Sequence, residues 1–427
     1  MKIAIQTLGC KVNQSESAAI EGLLRSNNFE VVNHDCNPDV FIINTCTVTA
    51  KSDYQSRQLI RRAVKAGARV IATGCYTQLK PDDLSRIDGL SLMIGNSEKA
   101  NIIDHIKKLS TKNRGTSTII DPPESPLVYQ PYYSKRSRAF LKIQDGCNFS
   151  CSYCTVPLAR GRSRSLHPDD VMLSVKKLFN SGYREIVLTG IHIGSYGRDM
   201  HKGNALIDII KKIVSSYPNL RIRLSSIEPQ EFDEDLLSLM NDGNVCRHLH
   251  IPLQSGSDRI LKLMNRGYTT HSYAQLINSI LTVYPDVSIG ADIIAGFPGE
   301  TDEDFQDTVK FVDDLPLSYF HIFPYSKRPG TKAAIFDDHV DKDVKKERVQ
   351  ILLEMSRKKK HEYMAKNIHK NLDVIVEKQS EKGGICTVLS DNYLKIDVKS
   401  DNITPGQRLR IRVISLTGEK LRGETID

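Results

Sequence analysis

Apolar and polar positions follow different periods along the chain, and the changes of period divide it. In residues 1–108, short apolar runs read as buried strands at 2–9 (KIAIQTLG), 40–46 (VFIINTC) and 68–75 (ARVIATGC), followed by a short LSLMIGN stretch. Between them, residues 15–27 and 51–67 have helical spacing, with Ser15 placed to cap the first helix and Gly67 to close the second. Strands alternating with helices predict βαβ units and an open parallel sheet. Residues 109–134 have no period and are rich in Thr, Ser and Pro. They are expected to form a linker, partly packed through Tyr129, Tyr132 and Tyr133.

A second alternation fills residues 135–366. A strand leading into a cysteine-rich loop is followed by strand candidates at 185–190, 221–226, 248–253, 287–297 and 319–325, with helical stretches between them. Six β/α units predict a partial barrel with its chemistry at the carboxyl ends of the strands. From Leu372 the period falls to two, broken by GG, DN and PG turns, so residues 367–427 read as a small β-barrel of four or five strands. The fold class is therefore α/β: an open parallel N-terminal sheet, a central partial (β/α)6 barrel and a terminal β-barrel.

Composition narrows the class further. At 40% hydrophobic and 26% charged residues, the chain is globular rather than disordered or collagen-like. No apolar run approaches the roughly 18 residues of a membrane span. MKIAIQTLGC carries neither an h-region nor a cleavage site, so no secretory signal and a cytoplasmic location are expected. The net charge of +8 tilts toward a polyanionic partner. Nine cysteines is an odd number, which argues against a disulfide framework and turns attention to where they lie.

Cys10, Cys46 and Cys75 each follow one of the first three apolar strands. Loops past the strand ends of an open parallel sheet gather at one edge, so the three thiols are expected to converge. Zinc or an iron–sulfur cluster with one open iron would suit three thiolates. Asn13 and Asn44 flank these loops and serve either sulfur or a turn. Cys36, Cys246 and Cys386 read as structural or inert. Cys147-x3-Cys151-x2-Cys154 follows the first barrel strand and is the strongest signal in the chain. That spacing wraps three corners of a 4Fe–4S cluster, whereas zinc would need a fourth ligand that no nearby residue supplies. Arg160, Arg162, Arg164 and Arg328 read either as contacts to the carboxylate of a bound ligand or to an RNA phosphate, or as solvated loop residues. His250 and His321 read as satisfied, inward-facing core histidines rather than bases. Lys395, Lys399, Arg408, Arg410 and Arg412 dominate outward positions of the terminal barrel, the pattern of an RNA-binding appendage.

The Cys-x3-Cys-x2-Cys motif with Tyr153 before its last cysteine resembles the radical S-adenosylmethionine (SAM) superfamily. From that resemblance, Thr189 and Gly190 correspond to contacts to the SAM amine, Ser226 and Glu228 to ribose contacts, and Gln254 and Ser255 to the turn near adenine and carboxylate. Over nearly the whole chain, TLGCKVNQSES, NTCTVT, ATGCY, DGCNFSCSYC, LTGIHIGSYG, IPLQSGSD, IAGFPGET and FPYSKRPGT resemble the radical SAM methylthiotransferase family, with a terminal TRAM-like domain. TLGCKVNQ is most similar to the branch acting on N6-threonylcarbamoyladenosine at position 37 of tRNA. The isopentenyladenosine branch reads nearer TYGCQMN, and the ribosomal-protein branch nearer SLGCAKN. The resemblance implies two 4Fe–4S clusters, on Cys147, Cys151 and Cys154 and on Cys10, Cys46 and Cys75. It also implies a 5′-deoxyadenosyl radical from SAM, a methylthio group added to carbon 2 of the adenine, and an electron donor such as flavodoxin or ferredoxin. A methylthiotransferase on N6-isopentenyladenosine in tRNA or on a ribosomal-protein aspartate, and a non-catalytic zinc protein that binds RNA, are the other readings.

Overall fold

A computed structural model describes residues 1–109, 117–122, 137–200, 205–379, 384–400 and 402–426. Tyr129, Tyr132 and Tyr133 lie outside the described residues. The N-terminal sheet is wholly parallel. Its strands are β1 (Lys2–Thr7), β2 (Glu30–Val31), β3 (Val40–Thr45), β4 (Arg69–Gly74), β5 (Leu90–Ile94) and β6 (Ser117–Ile119), in the order β2-β1-β3-β4-β5-β6. Every residue of β3 is buried, as expected of a central strand covered by helices on both faces. The strand β6 comes from the segment read as linker, which therefore extends the sheet by one strand.

The central region contains β7 (Ala139–Lys142), the short pair β8 (Gln144–Asp145) and β9 (Arg164–Ser165), then β10 (Glu185–Thr189), β11 (Arg221–Leu224), β12 (His248–His250), β13 (Ser288–Ala295) and β14 (Tyr319–Pro324). Two three-stranded parallel sheets, β7-β10-β11 and β12-β13-β14, meet where Ile222 bridges Val245. Six strands thus curve into a partial barrel whose free edges are β7 and β14. The N-terminal domain spans both edges. Ser15 Oγ on the helix Lys11–Ser26 donates to Phe140 O of β7 at 2.9 Å, and Ala50 N donates to Ser326 Oγ, just past β14, at 2.9 Å. The helix Lys342–Ala365 covers β14, with Ser356 serving both the N–H and the C=O of Phe320.

The strands β15 (Asn371–Gln379), β16 (Ile385–Ser390), β17 (Lys395–Lys399), β18 (Arg408–Thr417) and β19 (Lys420–Thr425) close into a barrel in the order β15-β16-β17-β19-β18. This barrel plugs the amino end of the larger one. Arg221 and Arg223 of β11, both 0% exposed, hold Glu185 of β10. They also donate to Asp373 O, Leu389 O, Ser390 O and Asp391 O of the small barrel. Arg223 and His248 both stack on Tyr393. Burial alone would raise the Glu185 carboxyl, but Arg223, Arg221 and Arg138 hold it well below the ordinary carboxylate range. A depressed pKa stabilises the fold above the unfolded-state value of about 4.3 and is lost as pH falls below it. Glu185→Gln is expected to cost about 3–5 kcal/mol, because two buried guanidiniums lose their counter-charge. It should also flatten the stability decline below pH ~4. Urea unfolding of both proteins between pH 7 and pH 3 checks this.

Candidate functional site

The strands β1, β3 and β4 are neighbours and in register, with Thr7 opposite Asn44 and Thr45 opposite Gly74. The cysteines that follow them therefore leave the sheet side by side. Two glycines let the loops close together. Gly9 (φ +96°) is so near Cys46 that a Cβ would lie 2.7 Å from its Sγ, and a Cβ on Gly74 (φ +100°) would lie 2.3 Å from Thr45 O. Asn13 Nδ2 donates to Leu8 O (2.8 Å) and Thr45 O (3.0 Å), and Asn44 Nδ2 donates to Asn13 O (2.9 Å). Both asparagines knit the loops to one another. The three sulfurs sit within electrostatic reach of each other. Burial pushes the Cys46 thiol up to about 11, with Cys75 and Cys10 adding to the effect.

The second triad lies on the loop after β8. Phe149 N donates to Cys147 Sγ at 3.4 Å, Val156 N to Cys154 Sγ at 3.5 Å, and Arg266 Nη1 to Cys151 Sγ at 3.2 Å. Burial pushes the Cys154 thiol up to about 12. All six thiols are free of disulfides. Cys46 is buried, Cys10 exposed and the other four half-buried; thiols whose ionisation burial opposes and that N–H donors face are well suited as thiolates on a soft metal, whose charge reverses the penalty. Both triads therefore fit an iron–sulfur cluster held by three cysteines.

Arg160 joins the two triads. It is 1% exposed, on the short helix Val156–Arg160 that follows the second cysteine loop. Its guanidinium donates to Glu16 (2.8 Å), to both carboxylate oxygens of Asp145 (3.0 Å each) and to Asn13 Oδ1 (2.6 Å). Lys142 bonds Glu16 at 2.9 Å and Asp145 at 3.0 Å, and Lys99 bonds Glu16. Three cations thus surround two carboxylates, and the surplus positive charge lies where the Cys10 and Cys75 sulfurs feel it. Arg328 makes a second strut, ion-paired with Asp53 at 2.7 Å. Neither Arg160 nor Arg328 is a solvated or phosphate-facing residue. Each is consumed by a buried ion pair across the domain boundary.

The positions assigned to SAM fall into two groups. Thr189, Gly190, Ser226 and Gln254 stand at the carboxyl ends of barrel strands or just beyond them. Gln254 (φ +70°) lines a cavity of about 220 Å³ with Val48, Tyr153, Cys154, Asp292 and Tyr325, at the boundary with the N-terminal domain. Ser255 instead turns into the helix Asp302–Asp314, 3.4 Å from Thr308 Oγ1. Glu228 is clamped by Arg266, the residue that also bonds Cys151. Sequence reasoning passed over Arg266 and His192. The latter lies 3.9 Å from Cys147 Sγ and 2.8 Å from Glu231. Burial opposes its protonation, but Cys147 and Glu231 prevail and lift it to about 9. Lys11 reaches the barrel interior. Burial first, then Arg223 and Arg138, push its ammonium down to about 8.

Comparison with known proteins decides the family. Residues 141–312 match the Radical SAM superfamily and residues 2–95 match the Uncharacterized protein family UPF0004. The chain is 36% identical to a threonylcarbamoyladenosine tRNA methylthiotransferase MtaB of Bacillus subtilis, covering 96% of this chain and 93% of that protein. The chain belongs to the radical SAM methylthiotransferases. A second MtaB, from Aquifex aeolicus, is 39% identical over 94% of this chain and 97% of its own. A tRNA-2-methylthio-N(6)-dimethylallyladenosine synthase of Fusobacterium nucleatum is 33% identical, with 100% of each chain covered. Among solved structures, the radical SAM methyltransferase TsrM of Kitasatospora setae has a TM-score of 0.58 at 16% identity, covering 78% of this chain and 77% of its own. That likeness establishes the shared fold. Methylthiotransferases of this family use SAM and two 4Fe–4S clusters, in accord with the two triads.

On the terminal barrel of this methylthiotransferase, Lys395, Arg410 and Arg412 are exposed. Arg408 is bound to Asp373 at 2.5 Å and to Asn244 at 2.9 Å, in the junction with the central domain. Arg160→Met is expected to destabilise the protein by about 3–5 kcal/mol, since Glu16 and Asp145 lose a buried partner. Denaturant unfolding measures the loss, and hydrogen exchange should rise in residues 11–16 and 156–160 before the rest.

Proposed function

We propose that this enzyme adds a methylthio group to carbon 2 of N6-threonylcarbamoyladenosine at position 37 of tRNA. The observation that carries the reading is the pair of cysteine triads, one on each domain, tied to one boundary by Arg160 and Arg328. The MtaB names of the relatives at 36% and 39% identity support the branch. Residues 1–108 form the domain of the auxiliary cluster, 135–366 the SAM domain and 367–427 a TRAM-like RNA-binding domain. Cys147, Cys151 and Cys154 hold one cluster, and Cys10, Cys46 and Cys75 the other. When bound, the clusters and SAM supply the electron, the radical and the sulfur that an unactivated aromatic C–H demands. Thr189, Gly190, Ser226 and Gln254 orient SAM beside Cys147, Cys151 and Cys154, while Glu228 and Arg266 brace the cysteine loop. An anticodon-loop base is single-stranded and can be splayed into the boundary between the domains. The enzyme works in the cytoplasm and draws electrons from a small carrier such as flavodoxin or ferredoxin.

Mass spectrometry of tRNA nucleosides from the host with and without the gene tests the reaction. Loss of 2-methylthio-N6-threonylcarbamoyladenosine with build-up of its unthiolated precursor is expected. Loss of the dimethylallyl analogue instead would overturn the substrate. In the anaerobically reconstituted protein, alanine at all three residues of either triad should remove about half of the iron and sulfide, leaving the other cluster in place. Alanine at Lys395, Arg410 and Arg412 should weaken tRNA binding, with a salt slope about 0.9 shallower per lost phosphate contact. Titration at several salt concentrations reads both.

A further inference from the structure

The barrel interior carries a polar cluster that the cysteine chemistry leaves unused. His250 of β12, Asp292 of β13 and His321 of β14 come from three adjacent strands, and one ligand atom of each lies within 4.8 Å of the others. His250 Nε2 and Asp292 Oδ1 are 3.1 Å apart, and the His250 and His321 rings stack at 5.7 Å between centroids. Asp292 is thereby committed to His250. His321 is different. Its ring stacks on His250 and meets Tyr319 edge-on at 5.3 Å, but among the described residues no hydrogen-bond partner is found for its nitrogens. Lys11 is the second uncommitted group. Its ammonium is felt by Asp292 and His321, yet among the described residues it makes no ion pair. It stands one residue from Cys10, while Asp292 lines the same cavity as Cys154. The cluster therefore borders, through Asp292, the cavity at the domain boundary that Cys154 also lines.

Lys11 is half-buried and His321 exposed, so both donors are accessible to an acceptor entering the barrel, where a hydrogen bond to a charged group is stronger than one between neutral groups. Two donors beside one already-paired carboxylate suit an anion. A divalent metal on the two histidines and Asp292 is disfavoured by the neighbouring Lys11 ammonium. We infer that Lys11 and His321, with His250 held by Asp292, bind the carboxylate of the amino-acid group carried on N6 of the adenine. This rests on the substrate proposed above and adds how it is told from an apolar N6 group. A dimethylallyl chain offers these donors nothing, so it leaves them unpaired, the situation in which polar sites reject an analogue most strongly.

The test uses the reconstituted holoenzyme and three anticodon stem-loop RNAs: N6-threonylcarbamoyladenosine as the free acid, the same RNA with that carboxylate as its methyl ester, and the dimethylallyl RNA. The native enzyme is expected to favour acid over ester by about tenfold or more in kcat/KM. His321→Ala and Lys11→Gln should each bring that ratio toward one. The ratio is taken within each variant, so a general loss of cluster or fold cancels. Should a variant prove inactive, the equilibrium binding of acid and ester RNA is compared with the same expectation. Equal use of acid and ester by the native enzyme would overturn the carboxylate site and leave the substrate standing. So would an unchanged ratio in both variants. One equivalent of non-cluster metal, lost on His321→Ala, would replace the anion site with a metal site. Turnover of the dimethylallyl RNA alone would overturn the substrate itself.

Discussion

Two buried carboxylates, Glu16 and Asp145, fix the geometry on which the chemistry depends. Glu16 belongs to the helix that follows Cys10, and Asp145 to the strand that leads into Cys147. Arg160, Lys142 and Lys99 bind them from both domains. Burying five charges costs more desolvation than an apolar contact of the same size. The gain is directional. A bidentate guanidinium on two carboxylates holds one domain against the other in a single orientation, which apolar packing tolerates less strictly. Two reactive centres on separate domains need that, since an error of an ångström in placement is costly to rate.

A second charged junction closes the opposite end. Glu185, Arg221 and Arg223 anchor the small barrel under the amino ends of the large barrel's strands, with Tyr393 stacked on His248. The carboxyl ends then remain as the open side, facing the N-terminal sheet. Arg408 belongs to this junction, so of the cations expected to face outward, Lys395, Lys399, Arg410 and Arg412 are exposed. The strand β19 separates β17 from β18, which places Lys395 apart from the two arginines on the barrel surface.

Much of this was legible in the sequence because it is local. Periods of 3.6 and 2 reflect which face of an element is buried, and they located the parallel sheet, the six barrel strands and the terminal barrel. Cysteine spacing of three and two residues is a property of one loop. Arg160 and Arg328 misled because an arginine in a basic loop looks the same whether its partner is water, phosphate or a carboxylate more than a hundred residues away. Arg266 and His192 left no signal for the same reason. His321 sits in an apolar run as a core histidine would, but β14 is an edge strand of the open barrel, so its ring is exposed.

The sequence by itself determined the elements, the two cysteine triads and the family to which they belong, because each is written in short-range patterns or in motifs along the chain. Only the tertiary structure decided that β1, β3 and β4 are neighbours in the sheet, that the two triads share one boundary, and that the small barrel plugs the amino end of the large one. Strand order, domain orientation and the partners of buried charges all pair residues far apart in sequence. A one-dimensional pattern carries no record of which distant residue completes each pair.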